Sequence, residues 1–369
     1  MKIECIKEKL GIALSKVEKI TSKNLTLPVL QCVLLEAKNS TLVLKATNLD
    51  LGIELSLPVK VEREGVVAVP GHLLGAFFTT TKNDKNVVLE VKENSLVVAN
   101  AHHSVAIRAM AHEDFPTLPK VSADDPQNLF SIEPADFVRG LKSVFYASAV
   151  SSMKPELSSV YLYPDRDMLV FAATDSFRLA EKRIKTRDSY RFHPILLPFK
   201  NVTEIIRLLE GESRSCEVVV TKNQISIRLD GVYLTSRIVD GAFPDYKQII
   251  PKEFKTEATL LKQDLQTSLK VATLFSDKFN QINIKIKPPQ KSVLCSTKNN
   301  DVGESVSTVS ATTEGDSVDA NFNHKYIVDA FQSVPQDSIS LSWSSKEKPM
   351  VIRGVGDSSF TYLVMPMNK

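Results

Sequence analysis

The chain holds six histidines and four cysteines, the residue types that most often ligate metals, carry protons or act as nucleophiles. His102-His103 falls in an alternating segment that reads as a strand. Adjacent strand side chains face opposite sides, so the pair cannot chelate one metal. His112-Glu113-Asp114 has ligand chemistry, but it runs into Phe115-Pro116 and reads as a polar linker. His72, His193 and His324 are isolated. Gly211-Glu212-Ser213-Arg214-Ser215 and Gly303-Glu304-Ser305-Val306-Ser307 begin like a nucleophile elbow, yet each lacks its last glycine and reads as a turn. Cys5, Cys32, Cys216 and Cys295 form no C-x-x-C pair and read as reduced core thiols of a cytosolic protein. No P-loop, G-x-G-x-x-G or H-E-x-x-H is present. The expectation is a chain with no catalytic residue, no metal and no cofactor.

A second chemistry is carried by cations that recur. Lys142 and Lys270 are 128 residues apart, and Lys200 and Lys325 are 125 apart. Lys16, Lys19 and Lys23 lie roughly opposite the apolar face of an N-terminal helix, and Arg139 and Lys142 do the same in a later one. Arg207 belongs to a further helix. Each alone reads as a solvated charge; together they make a sparse positive face. Sparse cations without interleaved aromatics suit contact with backbone phosphates, which is salt-sensitive and blind to sequence.

The elements that must position these residues come in three similar sets. Leu30-Gln31-Cys32-Val33-Leu34-Leu35 reads against Leu157-Ser158-Ser159-Val160-Tyr161-Leu162, and Ala46-Thr47-Asn48 against Ala173-Thr174-Asp175. Pro70 and Pro198 each open an apolar helical run. Asn94-Ser95-Leu96 reads against Asn223-Gln224-Ile225, and Asp114-Phe115-Pro116 against Ala242-Phe243-Pro244. These landmarks share one offset of 127 to 129 residues, and a fainter third copy follows. Units of this size can each bury a core. Each opens with a helix of 3.6-residue periodicity: Ile6, Leu10, Ala13, Leu14 and Val17; Phe137, Leu141, Val144 and Phe145; Leu265, Leu269 and Ala272. Strands follow, among them Val29 to Ala37 and Leu42 to Ala46, then a second helix near 70–80, 199–210 or 324–334, then more strands. The predicted architecture is α+β: three repeated domains, each two helices packed on two small antiparallel sheets, over residues 1–122, 128–250 and 251–369.

Composition sets wider bounds. The formal charge of +3 is nearly neutral, and the apolar fraction of 43% is ordinary for a globular protein. Met1-Lys2-Ile3-Glu4 carries charge where a signal peptide needs an apolar run, and no apolar stretch approaches the ~20 residues that span a bilayer. A cytoplasmic protein with no membrane partner is expected.

Several strings then form an ordered set: Thr26-Leu27-Pro28-Val29-Leu30, Glu113-Asp114-Phe115-Pro116, Ala173-Thr174-Asp175-Ser176-Phe177-Arg178-Leu179-Ala180, Gly241-Ala242-Phe243-Pro244-Asp245-Tyr246 and Tyr362-Leu363-Val364-Met365-Pro366-Met367. In this order and spacing the chain resembles the bacterial sliding clamps, the beta subunits of DNA polymerase III, along its whole length. The resemblance implies a head-to-tail homodimer, six like domains in a ring around double-stranded DNA, and action by topology without catalysis. It implies as partners the replicative DNA polymerase, a clamp loader and other proteins with a clamp-binding motif of the Gln-Leu-x-Leu-Phe type. Carried over by motif, the partner-peptide pocket comprises Leu157, Thr174, Ser176, Phe177, Arg178, Leu179, Pro244, Gln248, Ile249, Leu363, Met365, Pro366 and Met367. Lys154 and Tyr326 match its shallower part. The DNA-facing set is Lys16, Lys19, Lys23, Arg139, Lys142, Lys200, Arg207, Lys270 and Lys325. The dimer seam is Val105 and Ile107 on an edge strand, packed across two chains on Leu274 and Phe275. The chain departs from the pattern at Ser176-Phe177, where Gly-His is frequent, at Gln248, where an arginine can occur, and at Glu156, Phe199 and Pro349. Two other readings of the sequence are a monomeric nucleic-acid-binding scaffold and an unrecognised hydrolase, the latter lacking any visible nucleophile and base.

Overall fold

The computed structural model describes residues 1–22, 26–81, 85–120, 128–151, 153–187 and 189–367. Lys23 of the proposed DNA-facing set therefore lies outside the described residues, as do 121–127 of the first linker. Among the described residues there are six α-helices: α1 (Lys7–Val17), α2 (Gly71–Thr80), α3 (Pro134–Val144), α4 (Phe199–Leu209), α5 (Lys262–Thr273) and α6 (His324–Ala330). They fall where the periodicity puts them, but shorter: Ile6, expected on the apolar face of α1, instead ends the strand Lys2–Ile6 and is exposed. 3₁₀ turns at Glu18–Ile20, Phe145–Ala147 and Phe331–Ser333 end three of them. Leu10, Leu14 and Val17 on α1, and Leu265, Leu269 and Ala272 on α5, are buried as their 3.6-residue spacing requires.

The chain forms two compact units, and they do not follow the repeats. One contains Met1–Ala135, Arg191–His193 and Thr203–Ile238; the other contains Asp136–Tyr190, Pro194–Val202 and Val239–Lys369. Strand pairing gives the reason. In the first unit an eight-stranded sheet runs Leu129–Ile132, Cys216–Val220, Gln224–Leu229, Val232–Arg237, Leu51–Pro58, Thr41–Thr47, Cys32–Lys38, Gly65–Pro70. Its centre is the antiparallel pair of Val232–Arg237 with Leu51–Pro58, in which Thr235 faces Gly52. That ladder joins the last strand of the second repeat to the first repeat. In the second unit a nine-stranded sheet is joined likewise: Arg178–Lys185 of the second repeat pairs with Phe360–Val364 at the end of the third, Leu179 facing Leu363. Each repeat thus contributes strands to two antiparallel sheets, as expected, but not every sheet is confined to one repeat. One sheet of the first repeat, one of the third and both of the second fuse with a neighbour's, because an open edge of backbone N–H and C=O groups is satisfied by continuing the ladder. Two sheets stay within one repeat: five strands ending at Ser104–Arg108 in the first unit, and four ending at Gly303–Ser310 in the second.

Two further expectations shift. The strand expected from Val29 begins at Cys32, because Pro28 opens a 3₁₀ turn over Pro28–Gln31. His102-His103 lies in a turn rather than a strand: both backbone N–H groups donate to Asn100 Oδ1, at 3.0 and 2.6 Å.

The repeated Phe-Pro landmark has a packing role. In the first unit Phe115 returns onto a cluster of Val29, Cys32, Leu34 and Ala68. In the second, Phe243 stacks on Tyr161 with ring centroids 4.7 Å apart, beside the cluster that holds Leu179, Tyr246 and Leu363. Each linker is anchored by an aromatic side chain on its own sheet.

Candidate peptide groove and cationic helix faces

The groove is built from the turn between strands Met168–Thr174 and Arg178–Lys185. Thr174 Oγ1 donates to the Arg178 carbonyl at 2.7 Å and accepts from Ser176 N at 3.2 Å. Asp175 Oδ1 accepts from Phe177 N and Arg178 N at 2.9 and 3.0 Å. The turn forces φ +78° on Ser176, a left-handed conformation that favours glycine. Its product is an exposed aromatic ring: Phe177 keeps 61% of its surface accessible.

The C-terminal segment closes the other side. Met365 N donates to the Phe177 carbonyl at 2.8 Å, and Met367 N donates to the Asn321 carbonyl at 2.7 Å. These two bonds pin Met365-Pro366-Met367 across a trough of about 340 Å³ lined also by Phe177, Asn323 and Tyr326. Five sequence-predicted residues meet there. Asn323 was missed; its side chain caps α6 by accepting from Lys325 N, and Asn before a helix is the signal that could have found it.

The other predicted pocket residues are not among those that line the trough. Leu157, Thr174, Leu179 and Leu363 are buried, and Leu179 and Leu363 belong to the core cluster. Arg178 is a brace rather than an open donor. Its guanidinium binds Asp175 at 2.9 Å and Asp329 at 2.5 Å, and it sits 4.6 Å from the centre of the Tyr326 ring. Asp175 and Asp329 were not foreseen. Burial raises the Tyr326 phenol above its ordinary value, so that ring stays neutral. Pro244, Gln248 and Ile249 are exposed on the segment around the 3₁₀ turn Tyr246–Gln248, which the buried Tyr246 anchors through hydrogen bonds to Glu181 and, at 2.8 Å, Tyr163. Lys154 is exposed.

The cationic set divides in two. Lys19, Arg139, Lys200, Lys270 and Lys325 are exposed, and Lys142 is half-buried. Arg139 pairs with Asp136 at 2.6 Å. Lys16 pairs with Glu212, and Arg207 binds Glu204 at 2.7 Å and the carbonyls of Ser15 and Lys16 at 3.1 and 2.8 Å. Arg207 and Glu204 are three apart on one helix, but the helix pattern alone could not foresee Glu212 beside Lys16 or Arg207 on the carbonyls of Ser15 and Lys16, which join segments more than 190 residues apart in sequence.

At the proposed seam, Val105 lies exposed on the terminal strand Ser104–Arg108, while Ile107 is 6% exposed and packs into its own unit. Leu274 is 73% exposed just past α5 and Phe275 is half-buried. The terminal strand Gly303–Ser310 carries Val306, 66% exposed, which the sequence reading overlooked.

Among the described residues no group of three or more His, Cys, Asp or Glu is placed to hold a metal ion. All four cysteines are buried and unpaired; burial pushes the Cys32 thiol up to about 11 and the other three to about 12, so none is a thiolate at neutral pH. Among the described residues no helix is long and apolar enough to cross a membrane.

Tandem α+β repeats joined by shared sheets, an apolar Met-lined trough and cationic helices define a scaffold that acts by binding. Family models for the DNA polymerase III beta subunit match in tandem: the N-terminal domain over residues 1–119, the central domain over 131–245 and the C-terminal domain over 247–368. The chain belongs to that family. It is 28% identical to the beta sliding clamp of Synechococcus elongatus over 376 residues, covering 100% of this chain and 99% of that one. It is 25% identical to the beta sliding clamp of Staphylococcus aureus, covering 95% and 94%. The fold superposes on the DNA polymerase sliding clamp of Pseudomonas aeruginosa with a TM-score of 0.94 at 22% identity, each chain fully covered. It superposes equally on that of Bacillus subtilis, also at 0.94 and 22%.

Proposed function

We propose that this chain is a processivity clamp of DNA replication. Two copies close head-to-tail into a ring around double-stranded DNA, and partner proteins dock short apolar peptides in the Phe177–Met367 trough. Domains of residues 1–122, 128–250 and 251–369 supply three of the ring's six segments per copy. The observation that carries this reading is the tandem match of three family domains across the chain, and the trough supports its second half. A trough walled by two methionines and two aromatics is polarisable and adaptable, which suits one groove serving several partners. Those partners are the replicative polymerase, the clamp loader and other proteins with a clamp-binding motif. Encirclement makes polymerase rebinding intramolecular and raises its effective concentration, so no catalytic group is required and the chain is not an enzyme. The site of action is the cytoplasm.

The seam is a pair of sheet edges. The edge strand with Val105 in one copy meets the edge strand with Val306 in the other, with Leu274 and Phe275 packed beside it. Exposed edges that carry apolar side chains call for such a cover.

The reading is tested on circular DNA. Protein loaded on a nicked circle stays bound in high salt and is lost when the circle is linearised; equal loss from both would sink encirclement. Light scattering gives the mass of two chains, and a mass of one chain at micromolar concentration returns the monomeric scaffold. A labelled Gln-Leu-x-Leu-Phe peptide binds the full chain and not a chain ending at Val364. Undiminished affinity in the truncated chain would remove the groove assignment.

A further inference from the structure

The first unit contains two cations whose surroundings differ from those of the other predicted DNA contacts. Lys16 closes α1, and its ammonium is paired with Glu212 while both side chains are largely covered, 23% and 32% exposed. Arg207, 25% exposed, spends its whole guanidinium within the protein. Nε donates to Glu204 at 2.7 Å, Nη1 to the Ser15 carbonyl at 3.1 Å and Nη2 to the Lys16 carbonyl at 2.8 Å. Ser15 and Lys16 stand in the last turn of α1, where carbonyls lack an intrahelical donor and a cation is favoured by the helix dipole. Arg207 therefore caps α1 from a helix of the next repeat, and Glu212 holds α1 from the turn that follows the same helix. Lys19, one turn further along, is exposed and makes no side-chain hydrogen bond or ion pair among the described residues; Lys200 is the same.

We propose that Lys16 and Arg207 are joint residues that fasten the first repeat to the second, and that Glu212 and Glu204 withhold them from DNA, leaving unpaired cations such as Lys19 and Lys200 to meet the phosphates. This rests on the reading that the helix-borne cations face duplex DNA. The physical reason is competition. A phosphate must break a half-buried charge pair or strip a helix end of its cap before Lys16 or Arg207 can reach it, whereas Lys19 gives up only water. The outcome is a weaker electrostatic hold than the count of lysines and arginines implies, which is what a sliding ring needs.

The experiment is the salt dependence of full-length protein binding to a labelled duplex, together with thermal unfolding. Each phosphate-contacting cation contributes about 0.9 to the slope of log affinity against log salt. Lys19→Ala and Lys200→Ala should each flatten the slope by about that amount and leave Tm unchanged. Lys16→Ala and Arg207→Gln should lower Tm and leave the slope unchanged. Glu212→Gln, which keeps the side chain's shape, should free Lys16 and steepen the slope by about 0.9. A slope flattened by Lys16→Ala as much as by Lys19→Ala overturns the proposal alone. A slope indifferent to Lys19→Ala and Lys200→Ala overturns the DNA-facing reading, and the proposal falls with it.

Discussion

The same turn is built twice, once in each compact unit, and only one copy opens onto an apolar trough. In the first, Thr47 Oγ1 donates to the Leu51 carbonyl at 3.0 Å, Asn48 Oδ1 accepts from Asp50 N and Leu51 N, and Leu49 takes φ +77°. In the second, Thr174, Asp175 and Ser176 do the same with φ +78°. Even the bond to the following strand repeats: Arg237 N donates to the Asp50 carbonyl at 2.8 Å, as Met365 N does to Phe177. The side chains differ. Asp50 stands where Phe177 stands, Arg237 where Met365 stands, and Gly52 where Leu179 stands. Leu118 from the linker fills the space that Gly52 leaves; a Cβ on Gly52 would lie 2.6 Å from Leu118 Cδ2. What remains at the first junction is a polar cleft of about 220 Å³ against about 340 Å³ at the second. The backbone is the same at both junctions, and a handful of side chains decide whether a polar cleft or an apolar trough results.

Exchanging side chains between the two turns should have the largest effect. Phe177→Asp imports the residue of the first turn. Loss of an exposed aromatic anchor and introduction of a charge should weaken peptide binding about 100-fold or more, ~3 kcal/mol, with little change in unfolding. The reverse exchange, Asp50→Phe, should create no peptide site, because Leu118 still fills that cleft. Titration of a labelled peptide against both variants decides; an unchanged Kd for Phe177→Asp would mean that the ring is decoration too.

Leu118→Ala asks what the filler contributes. The side chain is 7% exposed, so its removal should cost about 2 kcal/mol, the low end for a leucine at the rim of a core. Denaturant unfolding measures it. A smaller loss than that of a surface substitution would show that the linker leucine is only resting on the cleft.

Much of this contrast could be read from the chain before folding. The offset of the repeats, the Phe-Pro anchors and the Ser176-Phe177 and Met365-Pro366-Met367 strings are local, and local pattern carries register and turn type. The fused sheets were not legible. The pairing of Thr235 with Gly52 and of Leu179 with Leu363 joins segments more than 180 residues apart, and alternation says which face is apolar, never which edge is next. The same limit hid Glu212 beside Lys16, Asp329 beside Arg178 and Leu118 over Gly52. Ser176 shows the reverse case: a residue that departs from the glycine frequent in the family was visible, but the positive φ that makes it costly appears only in the turn.

That φ gives a smaller test. Leu49 and Ser176 each hold a left-handed conformation, which costs an L-residue about 1 kcal/mol, and glycine removes the cost while adding entropy to the unfolded chain. Ser176→Gly and Leu49→Gly should each stabilise by about 0.5 kcal/mol, read as a shift in unfolding midpoint. Two equal gains would confirm that the turns are one structure; a gain at one alone would separate them.

The smallest expected effect distinguishes the junctions by pH. His324 opens α6, the helix whose cap Asn323 and whose Tyr326 line the trough. It is 2% exposed, its Nε2 has no hydrogen-bond partner, and its backbone N–H donates to the Asn280 carbonyl at 2.9 Å. Burial, and then Lys325, hold its pKa below the ordinary histidine value, with Asp277 pulling weakly the other way. A depressed folded-state pKa means that the unfolded chain binds the proton first. The contribution to stability is therefore complete above about pH 6.5 and is lost as pH falls below it. Acidification from pH 7.5 to 5.5 should lower Tm and loosen peptide binding modestly, and His324→Gln should flatten both responses. The described residues lining the cleft at the first junction include no histidine, so the effect of Leu118→Ala on stability should be the same at both pH values. A pH response that survives His324→Gln would place the titrating group elsewhere and leave the two junctions alike in this respect.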